Sequence, residues 1–259
     1  MEVNQNNVES TPSPRWPNEI SMDAFREAWQ LEGTPVWETV FEMHKDKMQI
    51  KNVNVATANL ENIFNTTFRL SNEKGFQAMS LRDLSRETGI SMGGLYAYIH
   101  SKDELASVIE SVLRHYLRMV LGSLAKHDLD PVSHLKAIIF GETYMNEIMN
   151  PWFYFSYMEV KGLPRSQQEK AMDLELLAQS ILLDNFTAGM KQQVFQCDNP
   201  DMLAVHSIGL LQQWYLKRWK FKRMQLNADQ FASSVFEFVL KALNGHHNSN
   251  SKQPGIAAG

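Results

Sequence analysis

The chain has 259 residues, one cysteine, and 25 Lys+Arg against 29 Asp+Glu for a formal net charge of −4. That length can bury a large core without disulfide or metal staples, and the acidic balance excludes a globally basic nucleic-acid binder, so any such binding must come from a local surface. A lone Cys197, a polar N-terminus with no basic-then-apolar leader, and no apolar run near the roughly 20 residues of a bilayer span predict a cytoplasmic protein that is neither secreted nor membrane-inserted.

Residues 1–20, rich in Asn, Gln, Ser and Pro, predict a disordered arm, and the tail over 244–259 reads the same way. Between them apolar residues recur at spacings of three and four with no sustained alternation, which predicts an all-α protein. Over 21–52 two stripes stand out: Met22, Phe25, Ala28, Trp29 and Leu31, then Val36, Trp37, Val40, Phe41 and Met48. They predict two helices whose tryptophans must be buried against the body of the protein. The second opens at Thr34-Pro35, where proline is pre-organised for the first helical position, and is expected to end near Lys51. The next helix, about Val55 to Lys74, should stop at Gly75.

Within 53–101 the punctuation becomes dense. Ser80 caps a short helix, Leu81 to Glu87, with Asp83 at the reciprocal capping-box position. Thr88, Gly89 and Ile90 make a turn, and Ser91 caps a second short helix through Tyr98. Two short helices joined by a glycine-containing turn form a helix-turn-helix, with Leu81, Leu84, Ile90 and Leu95 facing inward and the second helix prominent enough to enter a major groove. Gly93 and Gly94 at its start allow close backbone approach to DNA. From Lys74 to Glu104 the charges cancel: Lys74, Arg82, Arg86 and Lys102 oppose Asp83, Glu87, Asp103 and Glu104. Affinity must therefore rest on placement, including helix N-termini that offer amides to phosphate.

Over 102–243 the predicted elements are a long helix from Lys102 to about Ala125, opened by a Ser101-x-x-Glu104 box, then helical stretches near 132–149, 152–161, 166–195, 200–222 and 228–243. The last two look like an antiparallel pair suited to packing against a second copy of the chain. The aromatic-rich cluster around Tyr144 to Met158 is denser than one helical face needs, so it serves either as core or as the lining of an apolar cavity. The run Lys217, Arg218, Lys220, Lys222 and Arg223 reads either as a solvated helix end or as a patch for an anionic ligand. No metal-ligand spacing, cofactor motif or nucleophile elbow occurs, so no catalytic residue, metal or cofactor is expected.

The stretch GFQAMSLRDLSRETGISMGGLYAYIHSKDEL resembles the TetR family of transcriptional regulators: a glycine-aromatic pair, a capped helix, a G-[IV]-S turn, G-x-L-Y and a closing S-K-x-x-L. The likeness spans Ile63 to Ile109. It implies a three-helix DNA-binding domain, a larger helical domain for ligand binding and dimerisation, and a homodimer on a palindromic double-stranded DNA operator, released by a small molecule. Position by position it implies that Ser91, Met92, Gly93 and Gly94 face the groove, that Tyr96, Tyr98 and Lys102 contact phosphate, and that Ser80 and Arg82 contact the backbone. Departures stand at Met92, where family members often have Lys or Pro, at Tyr98 (often His), Ser71 (often Phe), and Thr66 and Thr67 (often two alanines). The C-terminal region is also similar, in apolar spacing, to family members that sense acyl-CoA thioesters. On that reading Tyr144, Met145, Trp152, Phe155, Met158, Ile181 and Phe186 line a tunnel for a lipophilic effector, and the basic run holds a CoA headgroup. The rival within the class is a drug- or signal-responsive regulator of the same fold, and the rival from another class is a helical adaptor that has lost specific DNA binding.

Overall fold

The computed structural model describes residues 15–124 and 127–244. It is all-α: twelve α-helices and no strand among the described residues. The tail past Asn244 and the arm through residue 14 lie outside them. At the other end of the expected arm, residues 15–20 are built into the protein, with Trp16 only 2% exposed. Its ring meets Phe25 edge-on at 5.1 Å and Tyr144 at 6.0 Å. Polar composition concealed one aromatic anchor.

Helices α1 (Met22–Trp29) and α2 (Thr34–His44) form the N-terminal extension. Ser21 caps α1 by accepting the Ala24 N–H, and Pro35 sits in the first turn of α2. Helix α2 ends at His44, short of Lys51, and a 3-10 turn over Lys45–Lys47 redirects the chain so that the Gln49 N–H donates to the Ala97 carbonyl at 2.9 Å. The DNA-binding unit follows: α3 (Val53–Lys74), α4 (Leu81–Thr88) and α5 (Met92–Tyr96). Asn52 caps α3, and Gly75 ends it at φ 82°, a value glycine adopts freely.

The larger domain comprises α6 (Lys102–Leu124), α7 (Pro131–Ile148), α8 (Asn150–Met158), α9 (Arg165–Lys191), α10 (Pro200–Leu216), α11 (Arg218–Arg223) and α12 (Ala228–Asn244). Prolines at 131, 151 and 200 open three of these helices, and Asp130 and Asn199 cap two. Asn227 and Gln230 exchange reciprocal bonds at the start of α12. Helices α6 and α7 are buried along most of their length and form the centre of the domain. One continuous core runs from Trp16 to Leu243.

The extension explains the excess of aromatics. Phe25 and Trp16 cover Tyr144 on α7, while Trp37 lies against Phe64 of α3 at 6.0 Å and Trp152 of α8 at 5.6 Å. The extra tryptophans and the surplus aromatics of α7 and α8 bury each other.

Candidate nucleic-acid interface and effector cavity

The helix-turn-helix is built by its caps. Ser80 Oγ accepts the Asp83 N–H at 3.1 Å and Asp83 returns a carboxylate to the Ser80 N–H at 3.0 Å. Gly89 turns the chain at φ 72°, Ser85 donates to the Ile90 carbonyl at 2.6 Å, and Ser91 Oγ accepts the Gly94 N–H at 3.1 Å. Leu84 and Leu95 are fully buried, Leu81 and Ile90 partly. Lys74 and Arg86 hold Asp83 at 2.8 and 2.9 Å, and Arg69 holds Glu87 at 2.9 Å. These contacts keep the Asp83 carboxyl well below the usual carboxylate range, the Lys74 bond being the largest cause. Acid and base thus cancel within the domain. Arg82 is the exception: it is exposed, and no ion pair engages it among the described residues.

Of the positions expected at DNA, Ser80, Arg82, Ser91, Gly93 and Tyr96 are exposed on one end of the domain and Met92 is half-buried beside them. Three differ from expectation. Tyr98 is 2% exposed, its ring packed in the core and its hydroxyl bonded by Asn59 Nδ2 at 2.8 Å, so a tyrosine at this position is a structural strut between α3 and the end of α5. Gly94 is small for packing: a Cβ there would lie 2.9 Å from Ile90 Cγ2, whereas one on Gly93 would meet open space. Lys102 donates to the Gln77 carbonyl at 2.9 Å and lies 5.0 Å over the Phe76 ring, and partial burial lowers its pKa. At Ser101 the hydroxyl accepts the Glu104 N–H at 3.1 Å, but Glu104 reaches past it to the His100 N–H at 2.7 Å.

In the larger domain α6, α7, α8, α9 and α10 line a cavity of about 350 Å³. Its wall includes Leu117, Glu142, Asn146, Phe153, Ser156, Tyr157, Lys161, Met172, Glu175, Ala178, Ile208, Gln212 and Tyr215. None of the seven residues expected to line an effector tunnel is among them. Tyr144 and Met145 are buried on the extension side of α7, with the Tyr144 hydroxyl donating to Asp229. Trp152 stacks on Phe64 at 5.5 Å. Phe186 lies in the core, Ile181 is half-buried on α9, and Met158 is exposed. Phe155 and Met158 instead border a second cleft of about 440 Å³ between α3, α8 and the α10–α11 junction, where Tyr215 forms part of both walls.

The seven residues lie on α7, α8 and α9, helices that also contribute to the cavity wall, but on other faces. The cavity side of α8 presents Phe153, Ser156 and Tyr157, and that of α7 presents Glu142 and Asn146, one turn apart. The i, i+4 pair Glu142 and Asn146 marks one face of α7, but Thr143 and Glu147 form an equally spaced polar pair one residue on, so the sequence does not single out the cavity face. Glu142 is 6% exposed with Oε2 unpartnered, and both side-chain polar atoms of Asn146 lack a partner. Burial, then the nearby Glu175 charge, pushes the Glu142 carboxyl up to about 8.

The basic run does not converge on this cavity. Arg218 grips Glu147 through both guanidinium nitrogens, Trp214 Nε1 donates to the same carboxylate at 2.9 Å, and Arg218 borders the open cleft. Lys217, Lys220, Lys222 and Arg223 point to solvent around α11.

The two sites are mechanically joined. Phe155 packs edge-on against Phe76 at 4.9 Å, the Phe76 N–H donates to the Glu159 carboxylate at 3.2 Å, and Gln77 Nε2 donates to the Gly162 carbonyl. These partners alternate along the chain with the cavity residues Ser156, Tyr157, Val160 and Lys161. The turn they grip, 75–79, leads straight into the Ser80 cap.

A helix-turn-helix with an exposed recognition end, set on a helical domain that holds a cavity, is the arrangement of a DNA-binding regulator. The family model described as bacterial regulatory proteins, tetR family, matches residues 63–109. The HTH-type transcriptional repressor KstR2 of Rhodococcus jostii (strain RHA1) is 24% identical over 180 residues, covering 68% of this chain and 86% of the relative. The fold is similar to that of a tetR-family regulatory protein from Rhodococcus RHA1, with TM-score 0.63 and 15% identity over 72% of this chain and 97% of the other. It is also similar to AibR, solved in complex with isovaleryl coenzyme A and operator DNA, with TM-score 0.60 and 17% identity over 70% and 98%. Residues 63–109 thus carry the DNA-binding segment of the tetR family, and the chain resembles regulators of that family over most of its length. Among the described residues no helix is long and apolar enough to cross a membrane, and no group of three or more His, Cys, Asp or Glu is placed to hold a metal ion.

Proposed function

We propose that the protein is a homodimeric repressor that binds a palindromic operator through α4 and α5 and leaves it when a lipophilic effector occupies the cavity among α6 to α10. The observation that carries the reading is the pairing of an exposed, capped recognition end with a cavity whose α8 wall grips the turn entering that domain. An effector that binds one arrangement of α8 better than another shifts the population of DNA-binding geometries by that difference in affinity. The heads of a dimer must meet successive major grooves roughly 34 Å apart, so a small displacement at the 75–79 turn suffices.

The dimer surface we assign is the outer face of α10 and α12. Met202, Val205 and Phe238 are exposed there, and Gly209 faces open space, which lets a second helix approach closely. A gel-shift screen against DNA flanking its own gene tests the whole reading: the expected result is a discrete complex at two chains per site that weakens when Tyr96 and Arg82 are both replaced by Ala. Absence of any sequence-specific complex would favour the adaptor reading.

Acyl-CoA thioesters form a second reading of the effector, favoured by the likeness to AibR. The CoA phosphates require cations at the cavity mouth. Lys161 is the lining residue available for that, and Arg218 lies on the neighbouring cleft. On this reading isovaleryl-CoA or a longer thioester releases operator and free CoA does not.

A further inference from the structure

The inside of the cavity has a chemical bias. Its buried end holds the Glu142 carboxyl and the Asn146 amide, each with polar atoms that nothing in the chain satisfies. A buried polar group without a partner is costly, so two of them on adjacent turns of α7, facing one space, describe a socket for a polar head. Glu175 on α9 adds a second carboxylate to the wall, and Phe153, Tyr157 and Tyr215 turn aromatic surface toward the same space. Aromatic faces and carboxylates attract the same kind of partner.

We propose that the cavity takes a lipophilic cation, an apolar tail carrying an ammonium group, with Glu142 as its counter-ion and Asn146 as a hydrogen-bond partner. This rests on the reading of the cavity as the effector site. An anionic head would face two carboxylates, with Lys161 the one cation in the wall, exposed at its rim. Apart from Glu175, the titratable groups around Glu142 are Tyr157 and Lys161 beyond the end of α8, Tyr215 on α10, and Glu110 of α6, which accepts the Ser156 hydroxyl behind the wall. Near neutral pH Glu142 keeps its proton in the empty cavity. A bound cation stabilises the carboxylate, so the proton leaves to solvent as the ligand enters.

The test uses three probes with one tail and different heads, decylamine, decanol and decanoate, titrated calorimetrically into the full-length protein at pH 7 below their micellar concentrations. Runs in two buffers of different ionisation enthalpy count protons. Expected are decylamine binding at least tenfold tighter than the other two, proton release with decylamine alone, and loss of both in Glu142→Gln while decanol binding stays within about twofold. The melting temperature and operator binding of that variant report that it is folded. Decanoate binding as tightly as decylamine, or an amine preference that survives in Glu142→Gln combined with Glu175→Gln, overturns the cation assignment, and the effector site still stands if Ala178→Phe abolishes binding. If none of the probes binds, or Ala178→Phe changes nothing, both the cation and the effector site fall.

Discussion

At the scale of single residues, small differences of placement separate roles that look alike in the sequence. Gly93 and Gly94 are neighbours with different reasons for lacking a side chain. Gly94→Ala forces Ile90 aside, because its Cβ would lie 2.9 Å from Ile90 Cγ2, and should destabilise the protein by about 1–3 kcal/mol in denaturant melts. Gly93→Ala should leave stability within about 0.5 kcal/mol while weakening operator binding in an anisotropy titration. Equal effects of the two on stability would contradict the packing assignment. Glu142 makes a prediction in pH. Its folded pKa of about 8 stands above the ordinary value of 4.5, so the native state holds a proton that the unfolded chain releases. Stability is therefore lost as pH rises between those values. Glu142→Gln removes the loss: the variant should melt higher than the parent at pH 8.5, by about 2–4 °C for each kcal/mol recovered, and the difference should vanish near pH 4.

At the scale of elements, what was legible in the sequence was whatever is fixed locally. The caps at Ser80 and Ser91, the stop at Gly75 and the proline opening α2 are short-range chemistry, and the structure realises each of them. The lining of the cavity was not legible for a physical reason. Helix α8 is apolar on two sides because α3 and the extension cover one and the cavity opens on another, and periodicity cannot tell a face that meets protein from one that meets a ligand. Trp152 meets Phe64 and Phe155 meets Phe76, while Phe153, Ser156 and Tyr157 face the space. The fate of Trp16 was hidden likewise, since one aromatic among polar residues carries no period. The interlock of α2 with α3 and α8 yields a direct test. Trp37→Ala empties the space beside the Phe64–Trp152 stack and should cost about 3–5 kcal/mol, measured by thermal or denaturant unfolding. A loss below 1 kcal/mol would mean that the extension is not part of the cooperative core.

At the scale of the whole molecule, the proposed dimer surface on α10 and α12 can be tested directly. Phe238 of α12 is 59% exposed, and Phe238→Asp should convert a dimer into monomers in analytical ultracentrifugation. Because two heads on one operator act with a high effective concentration, operator affinity should fall by at least tenfold with the monomer still folded. A Phe238→Asp protein that remains dimeric would move the interface elsewhere.

The extension has a consequence for how such a protein would behave as a switch. Residues 16 to 49 fasten α3 and the end of α5 to α6, α7 and α8 through Trp37, His44, Gln49, Phe25 and Trp16, at contacts separate from the grip of Phe155 on Phe76. Each contact lowers the energy of one domain arrangement and leaves the alternative unassisted. A ligand must then supply a larger difference in affinity before the population turns over. Under the proposed function, with this arrangement the operator-binding one, the strap trades sensitivity for silence: a gene under this protein would leak little without inducer and respond only above a raised threshold. Loosening the strap at Trp37 should give a noisier promoter that answers to less ligand.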